Sequence, residues 1–427
     1  METQALLQRL FQLHRFGIRP GLERIEALLS RLGNPHHRYP AIHVTGTNGK
    51  GSVCTMLAAA LHAQGYRVGL YTSPHLQHFA ERIRIDTRPV SDTEIAALLP
   101  WLLQEAEHIG ATFFEVSTAL AFALFAEHAI DIAVVEVGMG GRYDATNVVL
   151  PLVAVITSID LDHQQWLGKT LEAIAWQKVG IVKPGCGAVI GERRPELRHL
   201  LCRWAGEAGA RTVVFPCQEL ELLCASPELH QHLCLPSGMQ VVLPLAGEHQ
   251  RWNLALVLAV RELLAADFPF SDAALAEGLC RLRSWGLRAR CELLQVHPPV
   301  LLDVAHNPAG IAALHRTLLE HGYGSTRWNV VFGAMADKDV ATMLRFLHPL
   351  TRRLFACAPQ TERALAVELL TEHARQEGFA HIVQASSVAE AVRQAWQLGE
   401  ALLIVGSFYL LGEALPVVEE LCRGSGQ

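Results

Sequence analysis

The 427-residue chain is half hydrophobic by residue and 18% charged, with a formal net charge of −6 at pH 7. That composition excludes a disordered chain and lacks the basic footprint of a nucleic-acid binder, and the length allows two or three domains with separate cores. Ten cysteines are scattered without a Cys-x-x-Cys pair, which reads as reduced, mostly buried thiols instead of disulfides or a zinc site.

In chain order, the opening stretch METQALLQRLF places apolar residues at helical spacing but includes Glu2 and Arg9, so it lacks the unbroken apolar core of a leader peptide. No window reaches the roughly 18 uncharged apolar residues of a membrane span. Even residues 116–135 are interrupted by Glu127, His128 and Asp131. A soluble cytoplasmic protein with no membrane partner is expected. Residues 41–44, 67–71, 132–137 and 153–157 are short Val- and Ile-rich runs flanked by helical or glycine-rich sequence, the pattern of a parallel sheet covered by helices. Residues 212–244 read as an antiparallel insertion or a sheet edge. The aperiodic stretch 281–299, with Trp285-Gly286 and Pro298-Pro299, marks a domain boundary. Beyond it the alternation restarts at 300–304, 328–332, 353–357, 381–383 and 402–405, so two α/β units are expected.

Thr45, Gly46, Thr47, Asn48, Gly49, Lys50, Gly51 and Ser52 follow the first of these strands and open a helical segment over 53–64. Glycines let backbone N–H groups turn inward, a helix N-terminus adds positive potential, and the lysine reaches outer phosphates. Ser52 can ligate Mg²⁺. The spelling departs from the common G-x4-G-K-[ST] form: two residues separate Gly46 from Gly49, and Gly51 stands between Lys50 and Ser52. Glu136 closes another apolar run, where an acid at the end of a parallel strand can hold a nucleotide's metal.

The run TGTNGKGS resembles the folylpolyglutamate synthase and dihydrofolate synthase proteins of the Mur ligase superfamily. GLERI at 21–25, TSPHL at 72–76, ERIRI at 81–85, EVGMGGRYDATN at 136–147, LDHQQWLG at 161–168, QKVGIVK at 177–183, LLDVAHNP at 301–308, GAMADKD at 333–339 and GSFYLLGE at 406–413 extend the resemblance over most of the chain. It implies an α/β fold: a P-loop-type, mostly parallel N-terminal domain over residues 1–294 and a smaller Rossmann-like glutamate ligase domain over 295–427.

The resemblance also implies roles for individual residues. ATP would meet Thr47, Asn48, Gly49, Lys50, Gly51, Ser52, Asn253, Arg290 and Asp303, with His306 and Asn307 as nearby candidates. Two magnesium ions would be shared among Ser73, Glu136, His163 and Ser52. Lys178 would be carbamylated, which requires a neutral amine, although Gln177 stands where the family usually has Glu. Pteroate or folate would lie against Arg19, Pro20, Gly21 and Leu22, against Thr112, Phe113, Phe114 and Glu115, and against Tyr143, Asp144 and Ala145. Aromatic rings there suit a flat pterin. Arg290 would place guanidinium donors on the phosphates, and Lys50, Arg290, Lys178 and His163 are the catalytic candidates.

The implied reaction is ATP-dependent ligation of L-glutamate to dihydropteroate and to reduced folates through an acyl phosphate, by a monomer. A single-activity member, another Mur-type amino-acid ligase, or a nucleotide-switched binding protein without chemistry are the competing readings. Against a cell-wall ligase, the phosphate loop begins by residue 46, leaving no room for a preceding uridine-nucleotide domain.

Overall fold

The computed structural model describes residues 2–13, 17, 19–216 and 220–424. Strands β1 (Ala41–Thr45), β2 (Val68–Tyr71), β3 (Ile83–Ile85), β4 (Arg88–Pro89), β5 (Ile132–Glu136), β6 (Pro151–Ile156), β7 (Gly187–Ile190) and β8 (Thr212–Val214) form one sheet in the order β4-β3-β2-β5-β1-β6-β7-β8. Its pairings are parallel except those joining β2 to β3 and β3 to β4. β1, β2, β5 and β7 are buried along their whole length. Helices cover both faces of such a sheet, so its strands read as continuous apolar runs without alternation.

From β1 the chain passes to β2 on one side of the sheet and later to β6 on the other. The order reverses around β1, the place where ligands gather in open α/β sheets. Val44 pairs with Glu136 and Thr45 with Ile156. The loops after β5, β1 and β6 therefore leave the sheet side by side and at one level.

The helix Lys50–Ala63 starts directly from the loop after β1 and is buried continuously from Ser52 to Leu61. It packs on the helix Asp272–Cys280, where a Cβ on Gly278 would stand 2.7 Å from the backbone of Ala59 and Ala60. That absence of a side chain lets the two helices approach closely and fixes the helix that carries the phosphate loop.

The chain divides into two compact units, one made of Met1–Glu219 with Trp252–Leu287 and the other of Leu220–Arg251 with Arg288–Gln427. In the second, β9 (Glu221–Ala225), β10 (Gln231–Cys234) and β11 (Gln240–Leu243) form an antiparallel three-stranded sheet. Through Arg251, Gln231 links this insertion to the rest of the unit. Its buried amide donates to the carbonyls of Leu245 and Gly247, and its oxygen accepts from Arg251, which also pairs with Glu320 at 2.6 Å. The main sheet of this unit holds β12 (Glu292–Val296), β13 (Pro299–Asp303), β14 (Trp328–Phe332), β15 (Thr351–Ala356), β16 (Ile382–Gln384) and β17 (Leu402–Val405), in the order β12-β13-β17-β14-β15-β16. Only the β12 edge is antiparallel. Trp328, Val330, Phe332, Leu403 and Val405 supply its core.

Gly278→Val is expected to lower stability by about 2–3 kcal/mol through overpacking against Ala59 and Ala60. Urea denaturation of the variant beside the parent checks this, and an unchanged midpoint would show that the helices can separate freely.

Candidate active site

The loop after β1 takes its shape from its neighbour after β6. Thr47 donates its N–H to the Ser158 carbonyl at 2.8 Å, and its hydroxyl meets both the N–H and the carbonyl of Asp160, at 2.9 and 3.2 Å. The Asn48 N–H donates to the Ser158 hydroxyl at 3.1 Å, and the Asn48 carbonyl accepts from the hydroxyls of Thr157 and Ser158. Gly46 and Gly49 both have left-handed φ, at 153° and 90°. A Cβ at Gly46 would overlap the Thr157 hydroxyl, and one at Gly49 would press on the Asn253 side-chain amide at 2.5 Å. Asn253, distant in sequence, is thus placed directly against the loop.

Lys50 opens the following helix and folds back, donating to the carbonyls of Gly46 at 3.1 Å and Thr47 at 3.2 Å. Its ammonium sits at the mouth of the loop, where a phosphate would need it. Ser52 is buried one turn into that helix. On the adjacent strand the buried Glu136 carboxylate accepts the Ser73 N–H at 3.0 Å, which joins two residues separated by 63 positions.

After β6, His163 adopts a left-handed φ of 49°, donates its N–H to Asp162 at 2.8 Å and holds its ring 3.9 Å from the same carboxylate. Lys178, on the helix Leu171–Val179, is buried, and its amine is pushed down to about 7 by burial first and by the Lys50 charge second, against Asp162, Asp144 and Asp160. Asp160 is itself pushed up to about 6, mainly by burial. A lysine in this state has the free amine that carbamate formation requires.

Among the described residues, no three of His, Cys, Asp and Glu gather into a self-sufficient metal cage. The oxygen groups here are the buried Glu136 carboxylate, which holds the Ser73 N–H, and the buried Ser52 at the start of the loop helix. Such a set suits magnesium, which keeps several waters and takes its other oxygens from substrate phosphates. His163 offers a nitrogen, which is less suited to magnesium.

The segments assigned to the acceptor differ in their surroundings. Thr112 and Glu115 form a reciprocal cap on the helix Phe113–Glu127, and Glu115 is also ion-paired with Arg24 at 3.0 Å. Phe113 is buried in the core and stacked on Phe11 at 5.6 Å. Phe114 lies against the glycine loop after β5, leaving no room for a Cβ at Gly138. Tyr143 is 47% exposed beside that loop, whereas Asp144 and Ala145 are buried. Arg19 and Pro20 are exposed, Gly21 and Leu22 half-buried, and the Arg19 carbonyl accepts from Arg24.

Arg290 and Asp303 lie in the second unit. Asp303 holds the N–H groups of Cys291 and Ala305, both at 2.7 Å, and burial raises its carboxyl to about 6 against the attraction of Arg290. The Arg290 guanidinium lies over the Phe408 ring at 5.0 Å. His306 and Asn307 follow the same strand: the His306 ring meets the Val304 carbonyl at 2.9 Å, and Asn307 caps the helix Pro308–Glu320.

Sequence reasoning missed a buried chain behind the site. The His43 ring meets the Thr146 hydroxyl at 2.8 Å, that hydroxyl donates to Asp144 at 2.5 Å, and Asp144 accepts the Met139 N–H at 2.8 Å. The glycine loop is thereby tied to β1. The one hint was a histidine inside an otherwise apolar strand, and a satisfied core residue fits the same pattern.

Residues 44–261 match the Mur ligase middle domain and residues 289–408 the Mur ligase glutamate ligase domain. The dihydrofolate synthase/folylpolyglutamate synthase of Bacillus subtilis strain 168 is 35% identical over 93% of this chain and 95% of its own length. The chain belongs to this family. Among solved structures, the folylpolyglutamate synthase of Mycobacterium tuberculosis complexed with ADP and AMPPCP superposes with a TM-score of 0.86 at 35% identity, covering 99% of both chains. The bifunctional folylpolyglutamate synthase/dihydrofolate synthase of Yersinia pestis with AMPPNP and Mn ion gives 0.80 at 31% identity over 98% of each. The family's enzyme class is ATP-dependent acid–amino-acid ligase, with a divalent metal.

His43 is kept neutral, pushed down to about 3 by burial and then by Lys183, and burial also brings His36 and His249 to about 4. In acid the unfolded chain takes up protons that these rings refuse. Stability therefore falls as pH drops below about 6.5, and these groups contribute no slope above it. Replacing His43 with Asn is expected to flatten that fall by about 1.4 kcal/mol per pH unit, read from urea midpoints at a series of acidic pH values.

Proposed function

We propose that this ligase adds L-glutamate both to dihydropteroate and to reduced folates, working as a cytoplasmic monomer on ATP with magnesium. The observation that carries the reading is the meeting, in one unit, of a phosphate loop with Lys50 at its mouth, the Glu136–Ser73 pair and a glycine loop faced by Phe114. The first two elements handle a nucleotide's phosphates. The third offers backbone and a ring face to a flat acceptor.

The acceptor's carboxylate attacks the γ-phosphorus of ATP, ADP leaves and an acyl phosphate forms. The amine of L-glutamate then attacks the acyl carbon, sheds a proton and expels phosphate, so one ATP is consumed per amide. No protein nucleophile is needed: positioning and charge stabilisation carry both steps. Lys50 moves from the loop carbonyls to the phosphate oxygens, and loop N–H groups at the helix N-terminus add to its charge. Glu136, Ser73 and Ser52 would hold magnesium, with His163 for a second ion, and the metal would supply neutralisation of phosphate charge. A carbamate on Lys178 would turn a buried amine into an anion facing Lys50. Asn253 receives the adenine, Arg290 and Asp303 are further ATP-binding residues, and Phe114, Tyr143 and Ala145 hold the acceptor.

Phosphate release from Mg·ATP is expected to depend on L-glutamate with dihydropteroate and equally with tetrahydrofolate, each product gaining one glutamyl residue by mass. Turnover of one acceptor alone would reduce the enzyme to a single activity, and no glutamyl product from either would overturn the assignment. Lys50→Ala is expected to cost about a hundredfold or more in kcat/KM. Bicarbonate-depleted enzyme is expected to lose rate and to regain it on adding bicarbonate; a rate indifferent to bicarbonate would remove the carbamate from the scheme.

A further inference from the structure

The turn after β7 carries a buried carboxylate and a guanidinium that the reaction scheme does not use. Gly191 begins it, with no space for a Cβ beside the Ile156 and Thr157 carbonyls. Glu192 and Arg194 follow, and their side chains meet the segment after β6. Glu192 is 3% exposed, yet its carboxylate accepts from the Ile159 N–H at 3.1 Å, the Arg194 N–H at 2.8 Å, and Arg194 Nε and Nη2 at 2.7 and 2.8 Å. Arg194 Nη2 also donates to the Ile159 carbonyl, and the same guanidinium stands 3.8 Å from the Asp160 carboxylate. Both polar backbone groups of Ile159 are therefore held by this pair.

Ile159 is the middle of the three residues that shape the phosphate loop. On one side Ser158 receives the N–H groups of Thr47 and Asn48, and on the other Asp160 meets the Thr47 hydroxyl twice. We infer that Glu192 and Arg194 are positioning residues for ATP, acting through Ile159 on Thr47 and Asn48. The physical need comes from the loop's brevity. With only two residues between Gly46 and Gly49, little of the cradle is built from its own backbone, and its geometry is borrowed from the 158–160 segment. A carboxylate suits the task because it only accepts, and the groups facing it are all donors. A glutamine would turn its NH₂ toward Arg194 or toward the Ile159 N–H. Small displacements of groups that position a reacting phosphate have large effects on binding and rate.

The inference rests on the reading of residues 45–52 as the ATP loop, so the experiment begins with nucleotide binding to the parent enzyme. Calorimetric titration with Mg·AMPPNP, without acceptor, is run on the parent, Glu192→Gln, Arg194→Lys and Leu201→Ala. Leu201 is a fully buried core residue on the helix Pro195–Glu207 and serves as the purely structural comparison. Glu192→Gln is expected to bind nucleotide about tenfold more weakly, with a matching rise in KM for ATP and an unchanged KM for the acceptor. Arg194→Lys is expected to move the same way by less, and Leu201→Ala to lower Tm while leaving nucleotide affinity alone. Parent-like nucleotide affinity in both Glu192→Gln and Arg194→Lys would overturn the inference, as would an acceptor KM rising in step with that for ATP. If Glu192→Gln does not fold, Arg194→Lys decides on the same criteria. Failure of the parent enzyme to bind nucleotide would instead overturn the reading of the loop.

Discussion

The site depends on hydrogen bonds made to the phosphate loop from outside it. Thr47 and Asn48 engage the 157–160 segment through two backbone N–H groups, a carbonyl and the Thr47 hydroxyl. Each such bond contributes about 1 kcal/mol net, and each buried group left unpaired costs more than that. The short loop is therefore locked to one conformation only while β1 and β6 are neighbours in register. The sheet order that places them together is as much a part of the site as Lys50 is.

A second constraint is the crowding of ionisable groups under cover. Lys50, Asp144, Asp160 and Asp162 all act on Lys178, and burial lowers the Lys178 amine while raising the Asp144 and Asp160 carboxyls. The structure answers with specific partners. Asp144 accepts from Thr146 and the Met139 N–H, Asp162 takes the His163 N–H, and Lys50 rests on two carbonyls. Lys178 is answered differently: its amine is brought toward neutrality. An amine that is partly uncharged near neutral pH is open to chemistry that a fully protonated surface lysine lacks.

Much of the fold was legible because parallel strands buried on both faces must be apolar throughout. The runs at 41–44, 132–137, 328–332 and 402–405 each overlap a strand to within a residue or two. The glycine-rich loop was legible for a related reason, since few sequences need three glycines, a lysine and a hydroxyl between a strand and a helix. Thr112 and Glu115 show the opposite case. Resemblance points them at an acceptor, while the same T-x-x-E spelling specifies the helix cap they make. Residues 212–244 were legible only as an antiparallel insertion or a sheet edge, because the strands within 221–243 are short and half-exposed and their ties to the rest of the second unit are distant in sequence: Arg251 to Glu320, and the Ser226 and Pro227 carbonyls to His321 and Tyr323.

The sequence by itself determined the local chemistry: which residues turn, which carry charge, where strands and helices begin, and which family's motifs occur in which order. Those properties follow from backbone preference and side-chain type, which act over a few residues. Only the tertiary structure decided that Asn253 presses on Gly49, that Glu136 holds Ser73, that His43 reaches Asp144 through Thr146, and that Glu192 and Arg194 grip Ile159. Each of those pairings joins elements far apart in sequence, and they exist only once β2, β5, β1, β6 and β7 lie side by side. The weakened proton affinity of Lys178 has the same origin, because burial and the nearby Lys50 charge are properties of the packed site and not of the lysine.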